Sequence, residues 1–310
     1  MQKIVPNIWF NKNAAEAGEF YTQVFPNTTS KVTSSYPTEN LPDFQKDLAG
    51  QPLTVELTIE DFEFVLINAG PEFRPNPSIS FMVNFDPLIF AQAAGIDPAS
   101  AQAALAAREA LDHAYNKLID GGKALMELQE YDFSPYYGWV EDRYGVSWQL
   151  ILTNYEGDPR PFIMPAFLFG AEAQNKCRET IDRYLSLFPD SAWGTIYTYP
   201  VAMGPVTEEH IMHADLTLAG QWFVAADSGN EQPESFNHGI SLEVRCADQE
   251  EIDRYWDALS AVPEAEQCGW LIDNVGVSWQ IVPVNIGELM QRPGAHGKLM
   301  EMKKIVIDEF

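Results

Sequence analysis

Positive charge is scarce in this 310-residue chain: 19 Lys and Arg stand against 45 Asp and Glu, a formal net charge of −26. The acidic residues are spread without a long run, so they read as a solvated surface that repels nucleic acid and anionic lipid. No stretch approaches the roughly 18 to 20 apolar residues of a membrane span, and the opening MQKIVPNIWF lacks the apolar core of a secretion signal. No membrane partner and a cytoplasmic location are therefore expected. Cysteine is nearly absent: Cys177, Cys246 and Cys268 are odd in number, far apart and without a CxxC pair, which argues for structural thiols over a disulfide framework. With five histidines and no Ser-His-Asp spacing there is no case for a nucleophilic triad. GxGxxG loops, P-loops and HExxH are missing as well. What the chain has in quantity is apolar side chain, 46% of residues, enough to fill packed interiors. Its length suggests two domains rather than one.

The chain also contains itself twice. GWVEDRYGVSWQLIL from Gly138 returns as GWLIDNVGVSWQIVP from Gly269, and IVPNIWF at the start returns as IMPAFLF, aligning Pro6 with Pro165. Between these ends, YTQVFPNT matches YLSLFPDS, EFVLINAG matches WFVAADSG, and SISFMV matches GISLEV. The alignment shift falls between Val83 and Gly138, so the first copy carries an insertion there. The Ala-rich stretch near residues 86–107 is read as an inserted helical segment leading into a helix over Ala107–Ile119. Gly157, Pro159 and Pro161 interrupt the pattern between copies. The resulting division is residues 1–156, residues 162–287, and a tail over 288–310 read as a terminal strand or packing arm. Within each copy the periodicity gives strand, helix and three strands, twice over, with alternation in TVELTIE and VSWQLIL marking half-buried strands.

Three pieces, PNIWF with EFYTQVFPN, GPEF with SISFMV, and GW with GVSWQ, resemble the PhnB-like branch of the vicinal oxygen chelate superfamily, relatives of glyoxalase I and the bleomycin-resistance proteins. The same signature is labelled a 3-demethylubiquinone-9 3-methyltransferase domain. The resemblance covers nearly the whole chain, once per copy. It implies an α+β fold of two tandem glyoxalase-like domains, each made of two βαβββ modules forming a U-shaped mixed-sheet cleft. The superfamily's metal enzymes hold a divalent ion on His, Glu and Gln, two per module. Transferred here, those positions fall at Pro6 and Pro165, at Gln149 and Gln280, at Ser78 and Gly239 or His238, and at Leu66 or Asn68 and Ala225 or Asp227. Proline offers no side-chain lone pair and an amide is a weak neutral ligand, so no metal is expected. The methyltransferase label implies S-adenosylmethionine, but IVPNIWFNKNAAEA has no glycine-rich turn after its strand, so no cofactor is expected either.

Other residues have plainer readings. His210 and His213 fall where a strand is expected, which sends the two imidazoles to opposite sides. Asp142 and Asp273 recur before the last turn and are read as turn-stabilising, with Gly145 and Gly276 supplying positive φ. Trp148 and Trp279 alternate with the glutamines and belong to the core. The expected binding residues are Ile8, Phe10, Asn68, Ser80, Met82 and Gln149 in the first copy, and Phe167, Phe169, Asp227, Ser241, Glu243 and Gln280 in the second. A mostly apolar wall with a few polar anchors points to a small organic molecule held without metal. Two other readings stay open: a metal-dependent lyase or dioxygenase, and a non-catalytic interaction protein. The duplication makes the chain a monomeric pseudo-dimer or a half of a homodimer.

Overall fold

The computed structural model describes residues 1–39, 41 and 43–310. The first copy runs β1 (Ile4–Asn11), α1 (Ala14–Tyr21), β2 (Thr28–Ser35), β3 (Pro52–Ile59) and β4 (Phe62–Ala69). It continues with β5 (Ile79–Phe85), α2 (Pro87–Ala94), α3 (Ala101–Ile119), β6 (Lys123–Tyr131), β7 (Ser134–Glu141) and β8 (Ser147–Leu152). The second copy repeats this as β9 (Ile163–Phe169), α4 (Cys177–Leu187), β10 (Ala192–Thr198), β11 (Ile211–Leu218) and β12 (Gln221–Asp227). It ends with β13 (Ile240–Cys246), α5 (Gln249–Leu259), β14 (Trp270–Ile272) and β15 (Ser278–Pro283), and two short helices follow, α6 (Ile286–Leu289) and α7 (Ala295–Glu301).

The expected modules are present, with one abbreviation. Between α5 and β14 the second copy has Ser260–Gly269, too short for the hairpin strand that β6 supplies in the first copy, and Pro263 opens a single 3-10 turn there instead. The stretch after β5 forms α2 and α3, the second beginning at Ala101. Asp86 caps α2 by accepting the Leu88 N–H at 2.8 Å, with Pro87 in the first turn, and Gly95 ends it in the left-handed region at φ 67°. Ser100 caps α3 through Ala103 N–H, and the stripe Ala103, Ala107, Leu111, Ala114, Leu118 is buried. The tail is a packing arm and not a strand: Met302, Ile305 and Phe310 are buried, and the Met302 and Lys303 carbonyls accept the Cys268 and Gly269 N–H groups.

Two mixed sheets result. One has seven strands in the order β14-β15-β13-β1-β4-β3-β2, the other eight in the order β10-β11-β12-β9-β5-β8-β7-β6. β5 with β8 and β13 with β15 are parallel; the hairpins are antiparallel. The chain forms two compact units. An N-terminal unit comprises Ile8–Leu168 with Trp222–Val224, and a C-terminal unit comprises Met1–Asn7, Phe169–Gln221 and Ala225–Phe310. The C-terminal unit includes the first residues of β1: Gln221 accepts the Ile4 N–H and donates to the Ile4 carbonyl, at 2.6 and 2.9 Å. All three cysteines are free thiols. No helix among the described residues is long and apolar enough to cross a membrane.

Candidate functional site

Strand alternation divides the N-terminal unit's sheet into two faces with different chemistry. Phe81, Val83 and Phe85 of β5 and Trp148 and Leu150 of β8 are buried, and Phe81 lies against Phe64 at 4.9 Å and Trp148 at 5.3 Å. This is the face beneath α1, since Tyr21 of that helix sits 5.3 Å from the Trp148 ring. The intervening residues Ser80, Met82, Gln149 and Ile151 point the other way. There β9 sets Met164 opposite Met82 and Ala166 opposite Ser80. Met82, Met164, Ala166 and Val224 form a second apolar cluster, with half-buried Ile151 and Trp222 packed against it.

Polar groups beside this cluster are tied together. Gln149 donates through Nε2 to Ser80 Oγ at 2.9 Å, and its Oε1 accepts the Tyr137 hydroxyl at 2.7 Å. The amide is thereby held in one orientation. Tyr137 is buried, and burial drives its phenol far above the usual range, so it stays protonated and keeps donating. At the tip of the β6–β7 hairpin, Phe133 is 62% exposed; its ring stacks on Tyr131 at 5.4 Å and meets Tyr137 edge-on at 5.1 Å. Arg160 lies over the Trp222 ring at 4.0 Å.

The C-terminal unit repeats the amide pair and changes its surroundings. Gln280 Nε2 donates to Ser241 Oγ at 2.9 Å, and β13 pairs with β15 so that Glu243 lies beside Gln280. Glu243 stands where the first copy has Met82. It accepts from Asn7 Nδ2 at 3.3 Å and pairs with Arg245 at 3.0 Å. The Tyr137 position is occupied by Cys268, whose thiol burial pushes upward in pKa.

Ser80, Met82 and Gln149 are thus brought together on one face, as are Ser241, Glu243 and Gln280. Four expected wall residues are not. Ile8 and Phe10 alternate with Asn7 along β1, and Phe10 packs on Tyr144, itself 5.7 Å from Phe20 of α1. Phe167 stacks on Phe223 and Phe169 meets Phe236 edge-on; both are buried on the face opposite Met164 and Ala166. The expected alignment on these two strands is off by one residue, which turns every side chain to the other face. Asn7, Met164 and Ala166 take those places; in β9 a hydrophobic pattern alone does not reveal it, because that strand is apolar on both faces, whereas in β1 the polar Asn7 marks the face.

Asn68 and Asp227 are also placed differently from expectation, at the helix starts. Asn68 Oδ1 accepts the Ala14 N–H at 3.1 Å and its Nδ2 donates to the Pro52 carbonyl. Asp227 accepts from Cys177 N–H and Ile211 N–H. Tyr36 and Tyr199 donate to the Asn68 and Asp227 carbonyls respectively, so the same anchor is built in each copy. Burial raises the Asp227 carboxyl, and the two N–H bonds oppose that.

The groups at the transferred ligand positions are mostly neutral or already hydrogen-bonded. Pro165 lies opposite Phe81 on the helix face, both glutamine amides turn an N–H toward a serine, and Ser78 donates to Asn76 at 2.6 Å. His238 lies 3.3 Å from Ser278 Oγ, and burial lowers its pKa. His210 lies in the turn before β11 and accepts from Thr207 N–H, whereas His213, also lowered by burial, is on the strand. Among the described residues no three His, Cys, Asp or Glu converge.

Asp142 and Asp273 hold the last turn of each copy. Asp142 Oδ1 accepts from Tyr144 and Val146 N–H, and Oδ2 from the Tyr21 hydroxyl at 2.7 Å and Trp148 Nε1 at 2.9 Å. Asp273 does the same with Val275, Val277, Tyr184 and Trp279. Both tryptophans are fully buried.

The sequence model described as 3-demethylubiquinone-9 3-methyltransferase matches residues 2–88, 92–151 and 161–282. The chain belongs to this family. Within the PhnB-like group, the solved PhnB protein from Bacillus cereus is 28% identical, covers 49% of this chain and 100% of its own length, with a TM-score of 0.38. Protein PA1353 from Pseudomonas aeruginosa is 21% identical over 50% of this chain and 99% of its own, with a TM-score of 0.37. Glyoxalase I from Zea mays matches 94% of this PhnB-like chain and 97% of its own at 11% identity, with a TM-score of 0.50, a likeness of fold. No curated protein matches the chain in sequence.

Proposed function

We propose that this chain is a metal-independent, small-molecule-binding protein of the PhnB-like type, with its principal site on the face of the N-terminal unit's sheet opposite α1. One observation carries the reading. A second apolar cluster, separate from the core under the helices, lies beside a serine, a glutamine and a tyrosine that hold one another in place. Apolar lining with a few oriented polar groups is how small-molecule sites are built. The donor chemistry supports metal independence, because an amide that turns its N–H inward offers a cation no lone pair there. Methyl transfer, the reaction in the family's description, gains no support from the loop Asn11–Asn13, which contains no glycine.

The test is the metal content of the purified protein, with unfolding temperature measured in the presence of nickel, zinc, manganese and iron. No stoichiometric metal and no stabilisation are expected. A ligand specific for the folded state must stabilise it, so a rise of several degrees with one metal at stoichiometric occupancy would overturn the reading.

A further inference from the structure

We infer that the N-terminal unit's site takes a planar aromatic molecule bearing a carbonyl-type hydrogen-bond acceptor, and that the duplicated chain binds one such molecule and not two. The inference rests on the binding-site reading above and adds the ligand's class and its stoichiometry.

Three features define the class. Aromatic rings border the site on opposite flanks: the Phe133–Tyr131–Tyr137 group on the β6–β7 hairpin, and Trp222 on β12. Phe133 is the outermost of these, a large apolar side chain left in water at a hairpin tip, where a stacked ligand ring would cover it. Between the flanks stand Met82 and Met164, directly paired across β5 and β9. Their unbranched thioethers are deformable and favour contact with aromatic rings, so they can give way to a flat ligand. The third feature is the polarity of Gln149. Its carbonyl oxygen is occupied by the Tyr137 hydroxyl and one amide proton by Ser80. The oxygen keeps one lone pair, beside the hydroxyl that already donates to it, and the amide keeps its second N–H; that unspent donor is the group that meets an acceptor on the ligand.

The second copy shows why only one ligand is expected. At the places of Met82 and Ala166 it has Glu243 and Asn7, hydrogen-bonded to each other, and Arg245 pairs with the same carboxylate. Seating an apolar ring there would strip water from a charged cluster. The aromatic flank is also missing, since Cys268 replaces Tyr137 and no counterpart of the β6 strand is formed among the described residues.

Isothermal titration of the full chain with three probes tests this: 2-naphthamide, 2-methylnaphthalene and cyclohexanecarboxamide. 2-Naphthamide is expected to bind at one per chain, and each of the other two about tenfold more weakly, having lost the acceptor or the ring. Phe133→Ala, at an exposed tip where the fold does not depend on it, is expected to weaken 2-naphthamide about tenfold. Gln149→Leu is expected to abolish the preference for 2-naphthamide over 2-methylnaphthalene. Binding of cyclohexanecarboxamide as tight as that of 2-naphthamide, a stoichiometry of two, or an unchanged affinity in Phe133→Ala would overturn the inference and leave the site. Equal binding of 2-methylnaphthalene would overturn the acceptor requirement. If none of the three binds, the binding-site reading falls as well.

Discussion

Replacing Asp142 by Asn separates the two things this buried carboxylate does. It is 2% exposed, and its oxygens take four donors: two backbone N–H groups on Oδ1, the Tyr21 hydroxyl and Trp148 Nε1 on Oδ2. Asparagine keeps one oxygen for the backbone and presents an NH2 group to the rings. The Tyr21 hydroxyl can rotate to accept, but the indole N–H cannot, and a buried donor without a partner costs about 1–3 kcal/mol. Against this stands the charge. Burial outweighs the four hydrogen bonds and raises Asp142 from 3.8 to about 6. For an acid raised in this way, the folded state holds a proton that the unfolded chain has already released between those two values. Stability therefore falls as pH rises through the window and levels off above it. The full span is about 2 pKa units, or about 3 kcal/mol at about 1.4 kcal/mol per unit. The asparagine variant has no such dependence. Its deficit against the natural protein is expected to be about 1–3 kcal/mol near about pH 4.5, and about 2 kcal/mol smaller near about pH 7.5. Urea unfolding of both proteins at the two pH values, followed by circular dichroism, measures the difference directly, and subtracting the variant removes the contribution of the other carboxylates. A deficit that is constant, or larger at neutral pH, would refute the claim that burial sets this group's protonation.

Two further outcomes are expected. Asn68→Ala removes the acceptor for the Ala14 N–H at the start of α1 and should speed hydrogen exchange at that amide while lowering stability by about 1–3 kcal/mol; unchanged protection would restore Asn68 as a candidate ligand contact. Gly276→Ala tests backbone conformation alone, because φ is +96° and the nearest atom to an added Cβ is 3.7 Å away, so the cost should be conformational, about 1–3 kcal/mol, and a neutral result in the unfolding midpoint would contradict it.

Much of the architecture is written locally. The repeated GVSWQ strand, the caps at Asp86 and Ser100 and the recurring Asp142 and Asp273 are short-range features, so the modules, the helical insertion and the turn anchors can be read from the chain in order. That Ser80, Met82 and Gln149 share a face was legible for the same reason, since they lie on alternating strands. The amide pairs beside them were not, because Gln149 and Ser80 are distant in sequence and meet only where β5 and β8 run parallel.

What the order of residues leaves undecided is the face of an all-apolar strand. IMPAFLF offers water no polar side and IVPNIWF is broken only by Asn7, so the hydrophobic pattern by itself accepts both phases. Only pairing with β5 and β13 settles it, by setting Met164 against Met82 and Asn7 against Glu243. The same long-range pairing makes the two copies unlike. An apolar, aromatic-flanked face and a charged one arise from nearly the same local pattern, because each strand's neighbours decide whether its side chains meet methionine or glutamate.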